Sequence, residues 1–224
     1  MFKINDLPPQ IEKAKIDKLA KAETATIGHF LHAHFMDPAI SAVIPDRRVA
    51  GTAVTLRIPG PDSALLHHVL GLVRPGDFLV IDRCGDRKHA AWGGVVAFAA
   101  KTAGVAGGVV DGYATDFAEI REYDMPVWCL GSTPITTKKL ALGGGFNVSV
   151  SCGGVAVNPG DAVLADENGV LVLPPALVDY AADKALELQD REGTTLKRIK
   201  NGEKLGDISG STALVEAAMK EQGG

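Results

Sequence analysis

The sequence predicts one α/β domain in which helices flank a mixed sheet. Short apolar runs at Phe78–Ile81 and Gly107–Val110 are bounded by turn residues, which is typical of buried parallel strands. Between them, Trp92–Thr102 spaces its apolar residues as a packed helix does. A strand, helix and strand of this length form a right-handed crossover, so the loops that follow both strands lie at one edge of the sheet. No repeat or linker divides the chain into separate domains. The expected parts are N-terminal helices in 1–45, the core sheet in 46–175, and C-terminal helices with a tail in 176–224.

The other elements in the first half follow from apolar spacing and turn residues. Two helices, a strand and a third helix are expected before the first core strand, at Pro8–Leu19, Glu23–His34, Val49–Ile58 and Ser63–Leu72. A helix at Phe117–Tyr123 and a strand at Val127–Gly131 come after the second core strand. The loop Ser132–Gly145 has few apolar residues and ends in consecutive glycines, so we expect it to be mobile or to face a ligand.

The second half is richer in short strands. Brief strands are expected at Asn147–Ser151, Val155–Val157 and Ala162–Ala165. Asn168-Gly169 predicts a hairpin, because both residues accept the positive φ of a two-residue turn. An Ala-, Leu- and Glu-rich helix at Ala176–Arg191 and a last helix at Thr212–Lys220 close the chain.

Composition narrows the class of protein. The chain has 224 residues and a formal net charge of −4, which argues against nucleic acid as the main partner. No apolar run reaches the roughly 20 residues that span a bilayer, so no membrane partner is expected. The first residues lack the apolar core of a signal peptide, and three widely spaced cysteines do not indicate a disulfide framework. We therefore expect a cytoplasmic protein.

The start of the helix after the first core strand is a candidate anion site. Free amides and the positive end of the helix dipole attract a carboxylate or phosphate, and Gly93-Gly94 lets a ligand approach the backbone. The alternative is that these glycines only permit tight packing of the helix against the sheet. Asp116 follows the next strand and has two possible roles, a cap for the helix at Phe117 or a ligand for Mg²⁺ or Mn²⁺.

The loop Asp82–His89 carries alternating charges and faces the same edge. It can be a solvated cluster, or it can supply a cation for a substrate carboxylate and a carboxylate for proton transfer, with Arg83, Arg87 and Asp86 as candidates. The spacing does not decide between these interpretations. For the histidines of GHFLHAHF, helix packing or an interface is favoured over a zinc site, because no clear i, i+4 pair with further ligands is present. No phosphate-binding loop, dinucleotide fingerprint or nucleophile elbow occurs.

These segments resemble a known family. GDFLVID, WGGVVAFAAKTAGVAGGVVDG, the dipeptide Thr115-Asp116, and GGVAVNPGDAVLADENGVLVLP follow one another across about residues 20–190. They are similar to the family that joins class II 4-hydroxy-4-methyl-2-oxoglutarate/4-carboxy-4-hydroxy-2-oxoadipate aldolases with RraA-like proteins. His67 in LLHHVL also matches a family position. The resemblance implies a swivelling-domain (phosphohistidine-domain-like) α/β/α sandwich, assembled as a homotrimer or a dimer of trimers with the site between subunits.

The resemblance also implies roles for individual residues. Asp116 stands at the metal-ligand aspartate of the Mg²⁺- or Mn²⁺-dependent aldolases. The amides that would take the pyruvate carboxylate are those of Gly93, Gly94, Val95 and Val96. Two positions depart from the pattern. Thr115 replaces an arginine that holds the substrate oxygens, and Gly94 replaces an acid that anchors water and proton transfer. Thr115 offers a hydroxyl without a charge, which motivates the hypothesis that Arg83 or Arg87 supplies the missing cation.

Two functional classes follow. The first, which we favour, is a divalent-metal-dependent lyase for a small 2-oxo acid, cleaving an aldol adduct of pyruvate or decarboxylating oxaloacetate through a metal-stabilised enolate. The second is an RraA-type trimer that binds another protein and keeps a vestigial site. A related enzyme with a different substrate is a third interpretation. Asp116 and the glycine loop favour the first class, and the departures at Thr115 and Gly94 favour the second.

Overall fold

Four parallel strands form the centre of the sheet, and shorter strands extend it on both sides. The computed structural model describes residues 1–222. The strands are β1 (Phe2–Ile4), β2 (Ser41–Ala42), β3 (Val49–Arg57), β4 (Asp77–Asp82), β5 (Ala90–Trp92), β6 (Gly107–Asp111), β7 (Tyr113–Ala114), β8 (Val127–Cys129), β9 (Gly144–Phe146), β10 (Val150–Cys152), β11 (Val155–Val157), β12 (Ala162–Asp166) and β13 (Gly169–Leu173). The helices are α1 (Lys13–Leu19), α2 (Thr24–Gly28), α3 (Ala64–Val69), α4 (Gly94–Thr102), α5 (Phe117–Glu122), α6 (Val178–Lys200), α7 (Leu205–Ser209) and α8 (Ser211–Gln222), with a 3-10 turn at Pro175–Leu177.

The main sheet is mixed, as the sequence predicts. Strands β3, β4, β6 and β8 run parallel in that order. The long strand β3 changes partner along its length, since its first half pairs antiparallel with β12 and its last residues pair antiparallel with β9. Strand β13 continues the sheet beyond β12 through the predicted hairpin. The crossover from β4 through α4 brings β6 directly beside β4, so the loops after both strands lie at one edge.

Side-chain alternation along the central strands builds a core on each face of the sheet. In β4, Leu79 and Ile81 join the cluster packed beneath α3, α4 and α5. Phe78 and Val80 point to the other face, where they pack with residues of the β10–β11 hairpin. A third cluster joins α1, α2 and α6 to β12 and β13. Helices therefore cover one face, and the hairpin layer covers much of the other. Within residues 1–222, no helix combines the length and the hydropathy that a transmembrane segment needs.

Several element boundaries differ from the sequence prediction. Helix α2 ends at Gly28 instead of His34, because the following chain turns so that Phe35 bridges to Leu171 of β13. Helix α1 begins at Lys13 instead of Pro8, and the Pro8 carbonyl accepts a hydrogen bond from Arg74 instead of one within a helix. Helix α6 continues to Lys200, past the expected end. A glycine inside a helix costs only about 1 kcal/mol, so Gly193 does not end it.

The segment Ser132–Gly145 is anchored at several points. The Ala90 amide donates to the Ile135 carbonyl at 2.8 Å, and the Lys138 amide donates to the Pro61 carbonyl at 2.7 Å. The segment ends in strand β9, which pairs with β1 and β3. Strands β1 and β2 both precede the range 46–175 in sequence, so the N-terminal part contributes to the sheet as well as helices. These contacts attach the segment to the sheet and to the residues around α3, and whether it is mobile or faces a ligand stays a prediction.

Candidate active site

The turn between β7 and α5 positions Asp116. The Thr115 amide donates to the Trp92 carbonyl at 2.8 Å, which ties this turn to the end of β5. Asp116 then takes a left-handed backbone conformation, with φ 55° and ψ 42°. Few residues other than glycine adopt it, and aspartate is among those that tolerate it best. The turn directs the Asp116 side chain away from α5 and toward the start of α4.

The Asp116 carboxylate contacts α4 rather than capping its own helix. Asp116 is the residue immediately before α5, yet its side chain makes no capping hydrogen bond to that helix. Its Oδ2 accepts a hydrogen bond from the Gly94 amide at 3.0 Å, and its Oδ1 accepts one from the Thr115 hydroxyl at 3.1 Å. The simple cap interpretation therefore does not describe this side chain. These residues form one group, which we call the Asp116 cluster. It comprises Asp116, Thr115, and Gly93 and Gly94 at the start of α4.

Both glycines at the start of α4 have close neighbours. A side chain at Gly93 would place its Cβ 2.7 Å from Asp116 Oδ2 and 3.0 Å from Thr115 Cγ2. A side chain at Gly94 would overlap the carboxylate of Glu119 in α5, with its Cβ 2.7 Å from the Glu119 carboxyl carbon. A larger residue at either position would therefore require these side chains to move. The start of α4 thus faces two carboxylates.

The first amides of α4 remain available to a ligand in part. The earliest bond inside the helix runs from the Ala97 amide to the Gly93 carbonyl, at 2.9 Å. An α-helix leaves its first amides without acceptors of its own. Asp116 takes the Gly94 amide, which leaves those of Val95 and Val96 for a ligand carboxylate. The Val95 side chain is exposed and the Val96 side chain is buried.

The loop Asp82–His89 forms a second cluster around Asp86. Its Oδ1 accepts hydrogen bonds from the amides of Lys88 and His89, each at 2.8 Å, and its Oδ2 lies 2.8 Å from His89 Nδ1. Burial raises the pKa of Asp86, but the hydrogen bonds from His89 and Lys88 outweigh burial and lower it to about 2. Asp86 is therefore an anion at neutral pH and holds the His89 ring in one orientation.

The two arginines of this loop have different surroundings. Arg83 is fully buried, its Nη2 donates to the Gly60 carbonyl, and its Nε and Nη1 have no partner within residues 1–222. Burial lowers the pKa of Arg83, and the nearby carboxylate of Asp86 opposes that effect. Arg87 is exposed and pairs with Asp111 at 2.8 Å. Only Arg87 thus presents its guanidinium to solvent.

The structure brings together only part of the predicted site. Strands β5 and β7 pair, so the Asp82–His89 loop and Asp116 lie at the same edge. Within residues 1–222, no hydrogen bond or ion pair joins Asp86, Arg83 or Arg87 to the Asp116 cluster. His67 is exposed on α3. Sequence reasoning missed Glu119 and His89; the spacing Asp116-x-x-Glu119 and the position of His89 three residues after Asp86 were the available signals.

A divalent cation fits the chemistry of the Asp116 cluster. The part of the chain that the structure describes contains no group of three or more His, Cys, Asp or Glu side chains arranged for a metal. Mg²⁺ does not need such a group, because it keeps several waters and uses one or two carboxylates with substrate oxygens. The carboxylates of Asp116 and Glu119, beside Gly93 and Gly94, provide hard oxygen donors, and both residues are exposed.

Known proteins resemble the chain in sequence and in fold. Residues 18–172 match the family described as RraA-like: Aldolase/RraA. A Halalkalibacterium halodurans protein with the provisional name 4-hydroxy-4-methyl-2-oxoglutarate aldolase is 37% identical over 142 residues, covering 63% of this chain and 67% of its own. An uncharacterised Methanocaldococcus jannaschii protein is 33% identical over 71% of this chain and 77% of its own.

Solved structures lead to the same family. RraAS2 of Streptomyces coelicolor, an unusual member of the RNase ES inhibitor RraA family, superposes with a TM-score of 0.74 at 29% identity, covering 84% of this chain and 98% of its own. The RNA-processing inhibitor RraA from Thermus thermophilis superposes with a TM-score of 0.62 at 33% identity, over 68% of this chain and 93% of its own. The family match spans more than half of the sequence. This protein therefore belongs to the RraA-like family.

Proposed function

We propose that this protein is a divalent-metal-dependent lyase for a small 2-oxo acid, either cleaving an aldol adduct to release pyruvate or decarboxylating oxaloacetate. The observation that carries the proposal is the Asp116 carboxylate, directed by a left-handed turn onto the opened start of α4. The lyase class is supported by relatives named as 4-hydroxy-4-methyl-2-oxoglutarate aldolases.

Each residue of the site would have a separate role in the reaction. Asp116 would hold Mg²⁺ or Mn²⁺, and the amides of Val95 and Val96 would bind the substrate carboxylate next to the positive end of the helix. The Thr115 hydroxyl, 3.1 Å from Asp116 Oδ1, would donate to a substrate oxygen after turning from that contact. When bound, the cation would supply Lewis-acid stabilisation of charge that develops on the 2-oxo oxygen. Asp86, with the His89 ring that it holds, is the candidate for proton transfer.

Metal dependence of turnover tests the lyase proposal. We expect the purified protein to decarboxylate oxaloacetate or cleave 4-hydroxy-4-methyl-2-oxoglutarate with Mg²⁺ or Mn²⁺, and to lose that activity when a chelator is added. Pyruvate release is measured with a coupled dehydrogenase, after subtracting the rate that the free metal ion gives alone. Absence of metal-stimulated turnover with both substrates, together with absence of Mn²⁺ binding, would contradict the proposal.

The arginine hypothesis makes a separate prediction. We expect Arg87→Ala to lower kcat/KM by about 10-fold or more if the exposed guanidinium reaches the substrate, because a charged hydrogen bond contributes about 1.5–3 kcal/mol. Arg83 is fully buried, so Arg83→Ala is expected to lower the free energy of unfolding instead. Urea denaturation and steady-state kinetics on both variants separate the two effects. Unchanged kinetics in both variants would end the hypothesis.

A protein-binding role is the second candidate. The similarity to RraAS2 favours it, as does the apolar surface that α4 presents, where Val95 is 77% exposed and Phe98 is 58% exposed. In that case the Asp116 cluster would be vestigial and the helix face would contact another protein. We also propose a homotrimer or a dimer of trimers, which sedimentation equilibrium would test.

A further inference from the structure

We propose that a cavity beside the β10–β11 hairpin is a binding site for a small organic cation, whose guanidinium group pairs with the carboxylate of Asp161. The cavity has a volume of about 420 Å³, which lies within the usual range of small-ligand sites. None of the residues that line it belongs to the Asp116 cluster, so the inference does not depend on the proposed function. Its lining includes residues of the hairpin, of the turn before β12 and of β13, among them His34, Val155, Asn158, Asp161, Val172 and Pro174.

The chain contains the same five-residue turn twice, and the two copies differ at one position. The copies are Val73-Arg74-Pro75-Gly76-Asp77 and Val157-Asn158-Pro159-Gly160-Asp161. In each copy the aspartate amide donates to the carbonyl three residues earlier, at 3.1 Å. The glycine has a positive φ in both, 85° at Gly76 and 93° at Gly160, as a type II turn requires. The aspartate Oδ2 accepts the amide three residues earlier in both, at 2.7 and 2.8 Å.

The two aspartates differ in the positive charge that they receive. Both are buried, since Asp77 is 0% and Asp161 is 7% exposed. The guanidinium of Arg74 contacts both oxygens of Asp77, with Nη2 3.1 Å from Oδ1 and Nε 3.3 Å from Oδ2. Asn158 stands at the equivalent position of the second turn, and its side chain accepts the Ser149 hydroxyl instead. Within residues 1–222, the Oδ1 of Asp161 has no hydrogen-bond partner. The second turn therefore has the same carboxylate without the guanidinium.

The surroundings of Asp161 suit a guanidinium. Burial raises the pKa of Asp161, and the Asn158 amide and the His34 ring offset that effect only in part. A ligand cation would stabilise the carboxylate, because opposite charges attract strongly where water is largely excluded. The neighbouring walls at Val155, Val172 and Pro174 are apolar. A guanidinium is planar and weakly hydrated, and it pairs with carboxylates through two donors, so it fits such walls better than a compact ammonium does.

A different explanation is that Asp161 only closes its turn and that a protonated His34 balances its charge. His34 lines the same cavity and has a left-handed backbone, with φ 74°. Within the described residues 1–222, however, no ion pair joins His34 to Asp161. If His34 were the counter-charge, His34→Gln would lower the melting temperature and the wild type would not bind a guanidinium. A cation site predicts binding in the wild type and retained binding in His34→Gln.

The test measures binding of n-butylguanidinium by isothermal titration calorimetry, with n-butylurea as its uncharged analogue of similar shape. We expect the wild type to bind n-butylguanidinium about 10-fold or more tightly than n-butylurea, because the charged hydrogen bonds are made only by the cation. Asp161→Asn should remove this preference, although asparagine keeps an oxygen for the Asn158 amide. Asp37→Asn is the matched control, because Asp37 is an exposed acid whose Oδ1 also accepts a local amide. The preference should be retained in that variant.

A second variant rebuilds the ion pair of the first turn within the second. We expect Asn158→Arg to raise the melting temperature and to abolish n-butylguanidinium binding, because its side chain would contact Asp161 as Arg74 contacts Asp77. Equal affinity of the wild type for the two compounds would overturn the inference. Equal loss of affinity in Asp161→Asn and Asp37→Asn would overturn it too, because that result reflects net charge. Binding that survives both Asp161→Asn and Asn158→Arg would place the cation elsewhere. Thermal unfolding of each variant verifies that the fold is retained.

Discussion

Asp116→Asn is expected to lower kcat/KM for metal-dependent turnover by about 100-fold or more, the size of effect seen when a group that stabilises developing charge is removed. The substitution removes the negative charge and keeps the shape of the side chain. Asparagine also tolerates the left-handed backbone that Asp116 adopts, with φ 55°. The amide oxygen of the new side chain would still accept the hydrogen bond from the Gly94 amide. Loss of activity would therefore report on the missing charge and not on a broken turn.

Asp124→Asn is the matched control for this experiment. Asp124 is also left-handed, with φ 49°, and it follows the other end of α5. Its carboxylate pairs with Arg47 at 2.8 Å on the surface, so its loss should have little effect on stability. We expect wild-type Mn²⁺ affinity and turnover in this variant. If Asp116→Asn behaved like Asp124→Asn, the lyase mechanism would have to be abandoned.

Asp62→Ala is expected to lower the free energy of unfolding by about 3 kcal/mol, because it leaves three partly buried amides without their acceptor. Asp62 is only 1% exposed. Its Oδ1 accepts the amides of Ala64 and Leu140, at 2.8 and 2.9 Å, and its Oδ2 accepts the amide of Leu142 at 2.7 Å. This one side chain therefore joins the start of α3 to the segment Ser132–Gly145. Urea denaturation at pH 7 measures the loss.

The effect of Asp62 should depend on pH. Burial raises the pKa of Asp62, but hydrogen bonds from the amides of Ala64, Leu140 and Leu142 lower it below its usual value. A carboxyl with a lowered pKa in the folded state stabilises the fold above its ordinary value of about 3.9, and that stability is lost as the pH falls below it. The difference between wild type and Asp62→Ala should therefore shrink as the pH falls from about 5 into the acid range.

Asp37→Ala is a suitable control for the Asp62 variant. Asp37 is exposed, and its Oδ1 accepts one amide, that of Ala39, at 2.8 Å. We expect a loss of about 1 kcal/mol or less, because water can replace the carboxylate at an exposed amide. A loss in Asp62→Ala no greater than that in Asp37→Ala would show that the three contacts of the Asp62 carboxylate contribute little to stability.

The local pattern of apolar and turn residues was sufficient to predict the two strands whose ends lie next to the site. The runs Phe78–Ile81 and Gly107–Val110 are apolar because both faces of the central sheet are covered, and the structure pairs them in parallel as expected. The carboxyl ends of neighbouring parallel strands share an edge by geometry alone. That rule is why Asp116 could be expected close to the Gly93-Gly94 helix start, and the hydrogen bond to Gly94 is the resulting contact.

Other features depended on contacts between residues far apart in sequence. Helix propensity extends α2 to His34, but Phe35 bridges to β13 and the helix stops at Gly28. The sequence predicts that the segment Ser132–Gly145 is mobile or faces a ligand. It does not reveal the attachment to Asp62, because Asp62 lies far earlier in the chain and is recognisable only by its three amide partners. Tertiary contacts can override local preference at such positions, since local preference contributes little free energy per residue.

The sequence alone determined the family, the mixed α/β class and the grouping of Asp116 with a glycine-opened helix. The periodicity of apolar residues, the order of elements along the chain and the short motifs can all be read directly from the sequence. Only the tertiary structure decided how the acids are used. The Asp116 side chain does not cap α5, and Asp86 contacts the His89 ring. The Glu119 carboxylate occupies the volume that a side chain at Gly94 would fill. Such contacts depend on the exact distance between α4 and α5. The spacing of residues along the sequence does not determine that distance.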